Sequence, residues 1–288
     1  MPSAIERVGI VPRRNHPVAE RTSRELCEWL RGRVREVWVE DVGAGSFGAA
    51  AVPASELKDL VDLIVVLGGD GTLIHAASLL EGAPIPIVGV NMGSLGFMTE
   101  VPVTETYRML EQVLAGDYEV DRRMKLDVQL LRGDGPPIIE GQVLNDVVIS
   151  KGALARIADL EATLDGSLVT LYKADGIIVA TPTGSTAYSL SADGPIVHPS
   201  LDVVVISPIC PHTLTQRPIV VPPDRPIHVE LKSDNGEVFL TMDGQTGLAM
   251  RQGDHVAIRR SEDRVLLVRN PRLDYFSILR EKLRWGER

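Results

Sequence analysis

The sequence predicts an α/β domain with a parallel sheet over residues 1–117 and an all-β domain over residues 118–269, with a C-terminal helix, 270–288, returning to the first domain. Two observations carry this prediction. In the first third of the chain, short apolar runs alternate with helical patterns, which is typical of parallel strands joined by helices. From Met124 onward, apolar and polar residues alternate with a period of two, which is typical of half-buried antiparallel strands.

The first domain is built from four predicted strands and four predicted helices, one of them a short helix with Ser55 as its N-cap. The run 61–67 is apolar but for Asp62, which predicts a central strand buried on both faces. This order of elements is Rossmann-like, and ligands in such sheets bind beyond the carboxyl ends of the strands. The predicted strands cover about 7–11, 36–40, 61–67 and 86–90, and the helices cover about 17–31, 72–80 and 103–115.

The second domain is predicted as an antiparallel β-sandwich of two packed layers. Asp165-Gly166 is a strong signal for a two-residue hairpin turn, and the segment 242–247 also reads as a hairpin turn. Further strands are expected near 143–149, 168–172, 176–181, 202–207, 227–231, 237–242, 255–260 and 264–269. The amphipathic helix that follows needs a surface to cover, so we expect it to pack on the first domain.

Composition narrows the class of ligand. The net charge of −9 argues against a broad nucleic-acid surface and favours a local site for a small molecule. No apolar run is long enough for a membrane span and no secretory signal is evident, so we expect a cytoplasmic protein without a membrane partner. Cys27 and Cys210 have no metal-ligand spacing, and we expect two free, buried thiols.

A glycine-rich turn, Gly68-Gly69-Asp70-Gly71-Thr72, follows the predicted central strand and precedes a helix. Such a turn exposes backbone N–H groups at a helix N-terminus, which favours a phosphate. A carboxylate is unusual there unless it accepts a proton from an attacking hydroxyl or shares a metal ion. The alternative is a tight turn in which Asp70 is a helix N-cap.

Three segments of the all-β domain hold polar residues that packing does not require. Asn145-Asp146 interrupts an apolar strand. These two residues could contact a ligand, or they could form a bulge or an Asx turn. Lys173 and Asp175 share a face if their strand continues, so they could bind a ligand or simply pair with each other. The hydroxyl-rich stretch 181–191 could bind a purine together with a sugar or phosphate. The alternative is a plain loop with a helix cap.

Several familiar sites are missing from the sequence. The six histidines form no metal motif, and we find no convincing nucleophile arrangement with Ser, Cys and His. There is no Gly-x-x-x-x-Gly-Lys-Ser/Thr loop, and no Gly-x-Gly-x-x-Gly follows the first strand. Because both patterns are missing, the sequence fits neither a P-loop hydrolase nor an ordinary dinucleotide dehydrogenase.

Taken in order, the motifs resemble those of the NAD kinases over nearly the whole chain. They are Gly68-Gly69-Asp70-Gly71-Thr72, then Asn145-Asp146, then the stretch 175–189, Asp-Gly-Ile-Ile-Val-Ala-Thr-Pro-Thr-Gly-Ser-Thr-Ala-Tyr-Ser. The first motif also resembles turns of diacylglycerol kinase-like lipid kinases and phosphofructokinases, whereas the third is highly specific in this context. A lipid kinase and a catalytically silent NAD-binding regulator remain the alternatives.

The resemblance implies transfer of the terminal phosphate of ATP, or of inorganic polyphosphate, to the 2′-hydroxyl of the adenosine ribose of NAD, giving NADP and ADP. It implies that Asp70 accepts the proton of that hydroxyl. It also implies a divalent ion, expected to be Mg²⁺ although no ligand residue can be assigned, and a homodimer or homotetramer. The donor phosphates would lie on Gly68, Gly69, Gly71 and Thr72.

The resemblance also implies an NAD site. Asn145 and Asp146 would contact the adenosine, whose adenine would be enclosed by residues 186–189, while Lys173 and Asp175 would lie towards the nicotinamide half. Two departures from the family matter: many members have Glu at 146, and several have a longer basic residue at 75. The implied NAD-binding residues are Asp70, Gly71, His75, Asn145, Asp146, Arg156, Lys173, Asp175, Thr186, Ala187, Tyr188, Ser189, Ser191 and Gln245.

Overall fold

The computed structural model describes residues 5–41, 50–213, 215–234 and 236–285. The chain divides into two compact units, a first unit of residues 1–122 with 265–288 and a second unit of residues 123–264. The first unit is therefore discontinuous in sequence, because its last segment follows the whole of the second unit.

The first unit contains a parallel sheet in the order β5-β4-β1-β2-β3. The chain leaves β1 towards β2 on one side and returns to β4 on the other, so the topological switch point lies between β1 and β4. The strands are β1 (Arg7–Pro12), β2 (Glu36–Glu40), β3 (Ala50–Val52), β4 (Leu63–Gly68), β5 (Pro86–Asn91) and β6 (Val101–Pro102), of which β6 pairs with the end of β5. All six residues of β4 are buried, which confirms the predicted central strand.

Helices pack against this sheet and are close to their predicted positions. The helix predicted over 103–115 divides into a 3₁₀ turn, Val103–Glu105, and an α-helix. The α-helices among the described residues are α1 (Pro17–Leu30), α2 (Leu57–Leu60), α3 (Asp70–Leu79), α4 (Thr106–Leu114), α5 (Tyr188–Ser191) and α6 (Tyr275–Leu283). None of the described helices combines the length and the apolar character that crossing a bilayer requires.

The second unit is an antiparallel sandwich, as predicted. One sheet has the order β14-β13-β12-β9-β16-β17, and the other joins β11, β10, β15 and β18 with β7 and β8. Apolar side chains from both sheets form one buried cluster. The strands are β7 (Val120–Arg132), β8 (Ile139–Val143), β9 (Asp146–Lys151), β10 (Ala158–Leu164), β11 (Ser167–Ala174), β12 (Gly176–Ala180), β13 (Val204–Ile209), β14 (Ile219–Val221), β15 (Ile227–Leu231), β16 (Val238–Met242), β17 (Thr246–Met250) and β18 (Asp254–Val268).

The hairpin turns and the last strand of this unit can be compared with their predictions. Both predicted hairpin turns are confirmed, with Asp165-Gly166 joining β10 to β11 and Asp243-Gly244 lying between β16 and β17. The two strands predicted near 255–260 and 264–269 are wrong as separate elements, since β18 continues through Ser261. The Ser261 hydroxyl accepts a hydrogen bond from the Gln142 amide at 2.9 Å, so the polar residue is satisfied within the strand.

The C-terminal helix belongs to the first unit, as expected from its amphipathic pattern. The Lys282 ammonium lies 5.7 Å from the centroid of the Phe97 ring. The Asp274 side chain caps the helix by accepting hydrogen bonds from the N–H groups of Phe276 and Ser277. Of the two cysteines, Cys27 is buried and burial raises the pKa of its thiol to about 11, whereas Cys210 is exposed, so its expected burial is wrong.

Candidate active site

Asp70 lies at the first position of α3, directly after the glycine-rich turn that ends β4. The cap residue of this helix is Gly69, and no side chain caps it, so the alternative of Asp70 as an N-cap is wrong. Its Oδ2 accepts a hydrogen bond from the Phe97 N–H at 2.8 Å. Its Oδ1 accepts three more, from the Met98 N–H at 3.1 Å, the Thr99 N–H at 3.0 Å and the Thr99 hydroxyl at 3.1 Å. Asp70 therefore fixes the segment 97–99 beside the turn.

The glycines of the turn differ in what surrounds them. A Cβ on Gly68 would lie 2.6 Å from the Thr72 Cβ, so this position has no room for a side chain. A Cβ on Gly69 or Gly71 would have no atom within 4 Å, so the backbone there borders open space. Exposed backbone beside a helix N-terminus is the arrangement expected for a bound phosphate.

A second glycine-rich turn, residues 93–96, follows β5 and lies beside the first. Gly68 at the end of β4 pairs with Asn91 at the end of β5. The Asn91 amide oxygen accepts from the Gly93 N–H at 2.6 Å, and its nitrogen donates to the Thr99 hydroxyl at 3.3 Å. The two turns and Asp70 thus form one hydrogen-bonded group at the carboxyl edge of the sheet.

His75 lies on α3, and its partner is a residue that sequence reasoning missed. The His75 Nε2 is 2.7 Å from Oε1 of Glu40, the last residue of β2. The same oxygen accepts from Arg14, which follows β1, at 3.1 Å. Neither Glu40 nor Arg14 lies in a recognisable motif, so only their contacts identify them.

In the second unit, the hydroxyl-rich stretch is bonded to the segment that holds Asn145 and Asp146. The Thr181 N–H donates to the Asn145 carbonyl at 2.9 Å, and the Thr181 hydroxyl donates to the Leu144 carbonyl at 2.6 Å. A Cβ on Gly184 would lie 2.5 Å from the carbonyl carbon of Asn145. Only glycine therefore allows the 3₁₀ turn Gly184–Thr186 to approach this segment.

Asp243, in the predicted hairpin turn, holds the same segment from its other side. Its carboxylate accepts hydrogen bonds from three consecutive N–H groups, those of Leu144 at 2.7 Å, Asn145 at 2.7 Å and Asp146 at 3.0 Å. Asn145 lies with Leu144 in a bend between β8 and β9, and Asp146 is the first residue of β9. Turn chemistry predicted the hairpin but gave no sign of this role for Asp243.

Asp146 is buried, Asp243 is half-buried, and their carboxyl groups are close enough to influence each other. Burial, followed by the charge of Asp243, raises the pKa of Asp146 from 3.8 to about 7. Burial also raises the pKa of Asp243, against the effect of its three N–H donors. The Asn145 side-chain oxygen is buried and has no hydrogen-bond partner in the structure. These polar groups can serve a sugar or an amine, because each retains acceptor capacity.

The raised pKa of Asp146 predicts a pH-dependent stability. The fold favours protonated Asp146, so its contribution is complete below about pH 4 and is lost as the pH rises towards 7. We expect Asp146→Asn to become increasingly more stable than wild type over this rise, by up to about 1.4 kcal/mol per pH unit. Urea unfolding at several pH values measures this, with exposed Asp134→Asn as the matched control; parallel curves for Asp146→Asn and wild type would contradict the assignment.

The residues of the stretch 186–191 are exposed to different extents. Tyr188 is 46% exposed, so its ring can meet a ligand. Thr186 and Ala187 are half-buried, and Ser191 is exposed. Ser189 is fully buried, and its hydroxyl lies 3.0 Å from that of Ser207. The Ser189 side chain therefore faces the interior of the unit and not a ligand.

Arg156 and Lys173 line a cavity of about 480 Å³ in the second unit, together with Lys151, Ala155, Ile157, Asp159 and His212. The alternative that Lys173 and Asp175 pair with each other is wrong. Lys173 bonds to Asp159 at 2.9 Å, and Asp175 lies 3.5 Å from Lys151. Gln245 is exposed in the β16–β17 turn.

Within the described ranges, no three or more His, Cys, Asp and Glu residues are grouped so that they could hold a metal ion. Asp70, the carboxylate of the glycine-rich turn, already accepts four hydrogen bonds.

Comparisons with known proteins agree over both units. The family model for the ATP-NAD kinase N-terminal domain matches residues 8–118, and that for the ATP-NAD kinase C-terminal domain matches residues 144–270. The chain is 52% identical over 285 residues to the NAD kinase of Geotalea daltonii and 50% identical over 284 residues to that of Geobacter metallireducens. In both comparisons the match covers 99% of this chain and 100% of the relative.

Solved structures give a similar result. A yeast NADH kinase complexed with NADH has a TM-score of 0.91 at 26% identity, covering 99% of this chain and 89% of the other. An NAD kinase from Archaeoglobus fulgidus in complex with ATP has a TM-score of 0.77 at 28% identity, covering 96% of this chain and 98% of the other.

Proposed function

This chain belongs to the NAD kinase family, and from that premise we propose that it makes NADP and ADP by transferring the terminal phosphate of ATP to the 2′-hydroxyl of the adenosine ribose of NAD. It is thus a phosphotransferase with an alcohol group as acceptor. The observation that carries the proposal is the full-length match together with Asp70 on an open glycine turn.

Asp70 is the proposed general base, and its hydrogen bonds indicate which oxygen acts. A carboxylate offers about four lone-pair sites. Oδ1 already accepts three hydrogen bonds, whereas Oδ2 accepts one, from the Phe97 N–H. Oδ2 therefore keeps acceptor capacity for the ribose hydroxyl proton. The donor phosphates are assigned to the turn formed by Gly68, Gly69, Gly71 and Thr72, whose backbone faces open space at Gly69 and Gly71.

The acceptor is assigned to the second unit. Asn145 and Asp146 would hold the adenosine ribose, Tyr188 would contact the adenine ring, and the Arg156–Lys173 cavity would take the nicotinamide half. Support comes from the rigid bonding of the 144–146 segment to Thr181 and Asp243. The smaller acid at 146 shortens the reach to the ribose by about one carbon relative to glutamate.

Members of the family use a divalent metal ion with ATP, and we propose Mg²⁺ here. The residues of the turn fit an ion carried by the nucleotide, because the carboxylate of Asp70 is largely occupied and Mg²⁺ commonly binds substrate phosphates and water. Such an ion supplies charge neutralisation of the transferring phosphoryl group. The cytoplasmic location and the homodimer or homotetramer stay predictions.

Formation of NADP by the purified protein tests the proposal. We expect activity with ATP, Mg²⁺ and NAD, with polyphosphate offered separately as donor and sphingosine offered separately as acceptor. Phosphorylation of sphingosine instead of NAD would favour the lipid kinase, and binding of NAD without turnover would favour the silent regulator.

Replacing the ribose-binding acid should act mainly on the acceptor. We expect Asp146→Ala to raise the KM for NAD by about tenfold, because the hydrogen bond between this carboxyl group and the ribose is lost, while the KM for ATP changes little. Initial rates with each substrate varied in turn measure both constants, and exposed Asp134→Ala is the control. An unchanged KM for NAD would remove the ribose role from Asp146.

A further inference from the structure

Glu40 is a buried carboxylate to which the proposed reaction assigns no role. Its side chain is 1% exposed, and its Oε1 accepts from His75 at 2.7 Å and from Arg14 at 3.1 Å. Its Oε2 is buried and has no hydrogen-bond partner in the structure. Burial acts to raise the pKa of Glu40, but the hydrogen bonds and charges of His75 and Arg14 outweigh it and lower the pKa, so the group is an anion.

A buried charge with an unpartnered oxygen costs free energy, so stability alone does not account for Glu40. Its two partners, by contrast, are partly open to solvent. The Arg14 side chain is 61% exposed and the His75 side chain is 30% exposed. Glu40 therefore fixes one end of each side chain and leaves the rest of each available to a ligand.

These residues lie at the edge of the sheet where a phosphate is expected. Arg14 follows β1, Glu40 ends β2, and His75 lies on the helix that follows β4, so they span three adjacent strands. The loop after β1 is bonded directly to the end of β4, because the Arg13 N–H donates to the Leu67 carbonyl at 2.8 Å. The topological switch point of a parallel sheet, here between β1 and β4, is where such folds bind ligands.

The helix connects this cluster to the glycine-rich turn. His75 is four residues after Gly71 on α3, so the two positions share one face of the helix. Gly71 borders open space at the helix N-terminus. A phosphate chain that begins on the turn and continues along this face would reach His75 and then Arg14.

We propose that Glu40 is a positioning residue that holds the Arg14 guanidinium and the His75 imidazole as a pair of contacts for the phosphate chain of the phosphoryl donor. This inference rests on the proposed function. The resemblance to the NAD kinases implies an NAD contact for His75, and the pyrophosphate of NAD has the same chemistry, but the turn next to His75 is assigned to the donor, so the proposal commits to the donor. Arg14 supplies a positive charge for its phosphates.

Steady-state kinetics of single variants test the inference. We expect Arg14→Gln to raise the KM for ATP about tenfold, since a charge-assisted contact to phosphate is lost, and to leave the KM for NAD within about twofold. Arg13→Gln is the matched control, because Arg13 is an exposed arginine of the same loop that Glu40 does not contact. Calorimetric titration of each variant with ATP alone supplies a readout that does not depend on turnover.

Glu40→Gln keeps the shape of the side chain and removes its charge. We expect it to raise the KM for ATP in the same selective way, with Arg14→Gln adding little in the double variant, because both changes act on one contact. Arg14 is exposed, so its variant keeps the test valid even if Glu40→Gln unfolds.

Three results would overturn the proposal. If Arg14→Gln and Arg13→Gln had equal effects, Glu40 would be only a structural bridge. If the variants raised the KM for NAD selectively, Arg14 and His75 would belong to the acceptor site. If Glu40→Gln lost stability but kept the KM for ATP unchanged, Glu40 would have no positioning role. If the wild-type protein made no NADP, the proposed function itself would fail instead.

Discussion

Asp70→Asn should lower kcat by about 10²–10⁴-fold, the usual contribution of a positioned general base. The amide cannot accept the ribose proton, and its NH₂ group would also face one of the N–H donors of residues 97–99. The substitution therefore removes the base and weakens the hydrogen bonds that hold the second glycine-rich turn. Initial rates of NADP formation and the binding constant for NAD measure the two consequences separately.

Thr99→Val separates these two roles of Asp70. It removes the hydroxyl, which donates to Oδ1 at 3.1 Å and accepts from the Asn91 amide at 3.3 Å, but leaves the carboxylate in place. We expect it to lower the free energy of unfolding by about 2 kcal/mol, the typical net value of two hydrogen bonds, while kcat stays near that of wild type. An Asp70→Asn enzyme that kept more than about a tenth of wild-type turnover would remove the base assignment.

Gly184→Ala should strongly disrupt the acceptor site. The added Cβ would lie 2.5 Å from the carbonyl carbon of Asn145, and backbone cannot rotate away as a side chain can. Overpacking of this kind costs about 1–3 kcal/mol. Because Thr181 and Asp243 hold residues 144–146 on either side, the strain should displace Asn145 and Asp146, and we expect NAD binding to be lost along with stability.

Gly247→Ala is the matched control for that substitution. Gly247 is in the same unit, and the nearest atom to an added Cβ is 3.9 Å away. We expect its melting temperature and its KM for NAD to stay near those of wild type, whereas Gly184→Ala lowers the first and raises the second. Thermal unfolding and initial rates check both, and similar behaviour of the two variants would show that the approach to Asn145 is not restrictive.

The features that sequence predicted well have their signal in neighbouring residues. The apolar run that became β4, the alternation that became β10, and the Asp165-Gly166 turn all depend on residues next to one another in the chain. The glycine-rich turn was predictable for the same reason. Its placement beside the 93–96 turn followed from the rule that parallel strands end at one edge.

The missed features depend on contacts between distant residues. Glu40 contacts His75 across 35 positions, and Asp243 contacts the Leu144 N–H across 99 positions. Asp70 shows the limit most clearly. Its local pattern allowed an N-cap, but the N–H groups that it binds lie 27 to 29 residues later. Ser261 similarly stays within β18 because Gln142, 119 residues earlier, satisfies it.

The discontinuous first unit has a consequence for synthesis on the ribosome. Strand β5 pairs with Leu266 and Leu267 of β18, and both leave the ribosome only after residues 123–264 have been made. The start of β5, at Pro86 and Ile87, must therefore remain without this partner strand while the later sandwich emerges. The nascent sandwich can close on itself first, which reverses the usual order in which the N-terminal part of a chain folds before the rest.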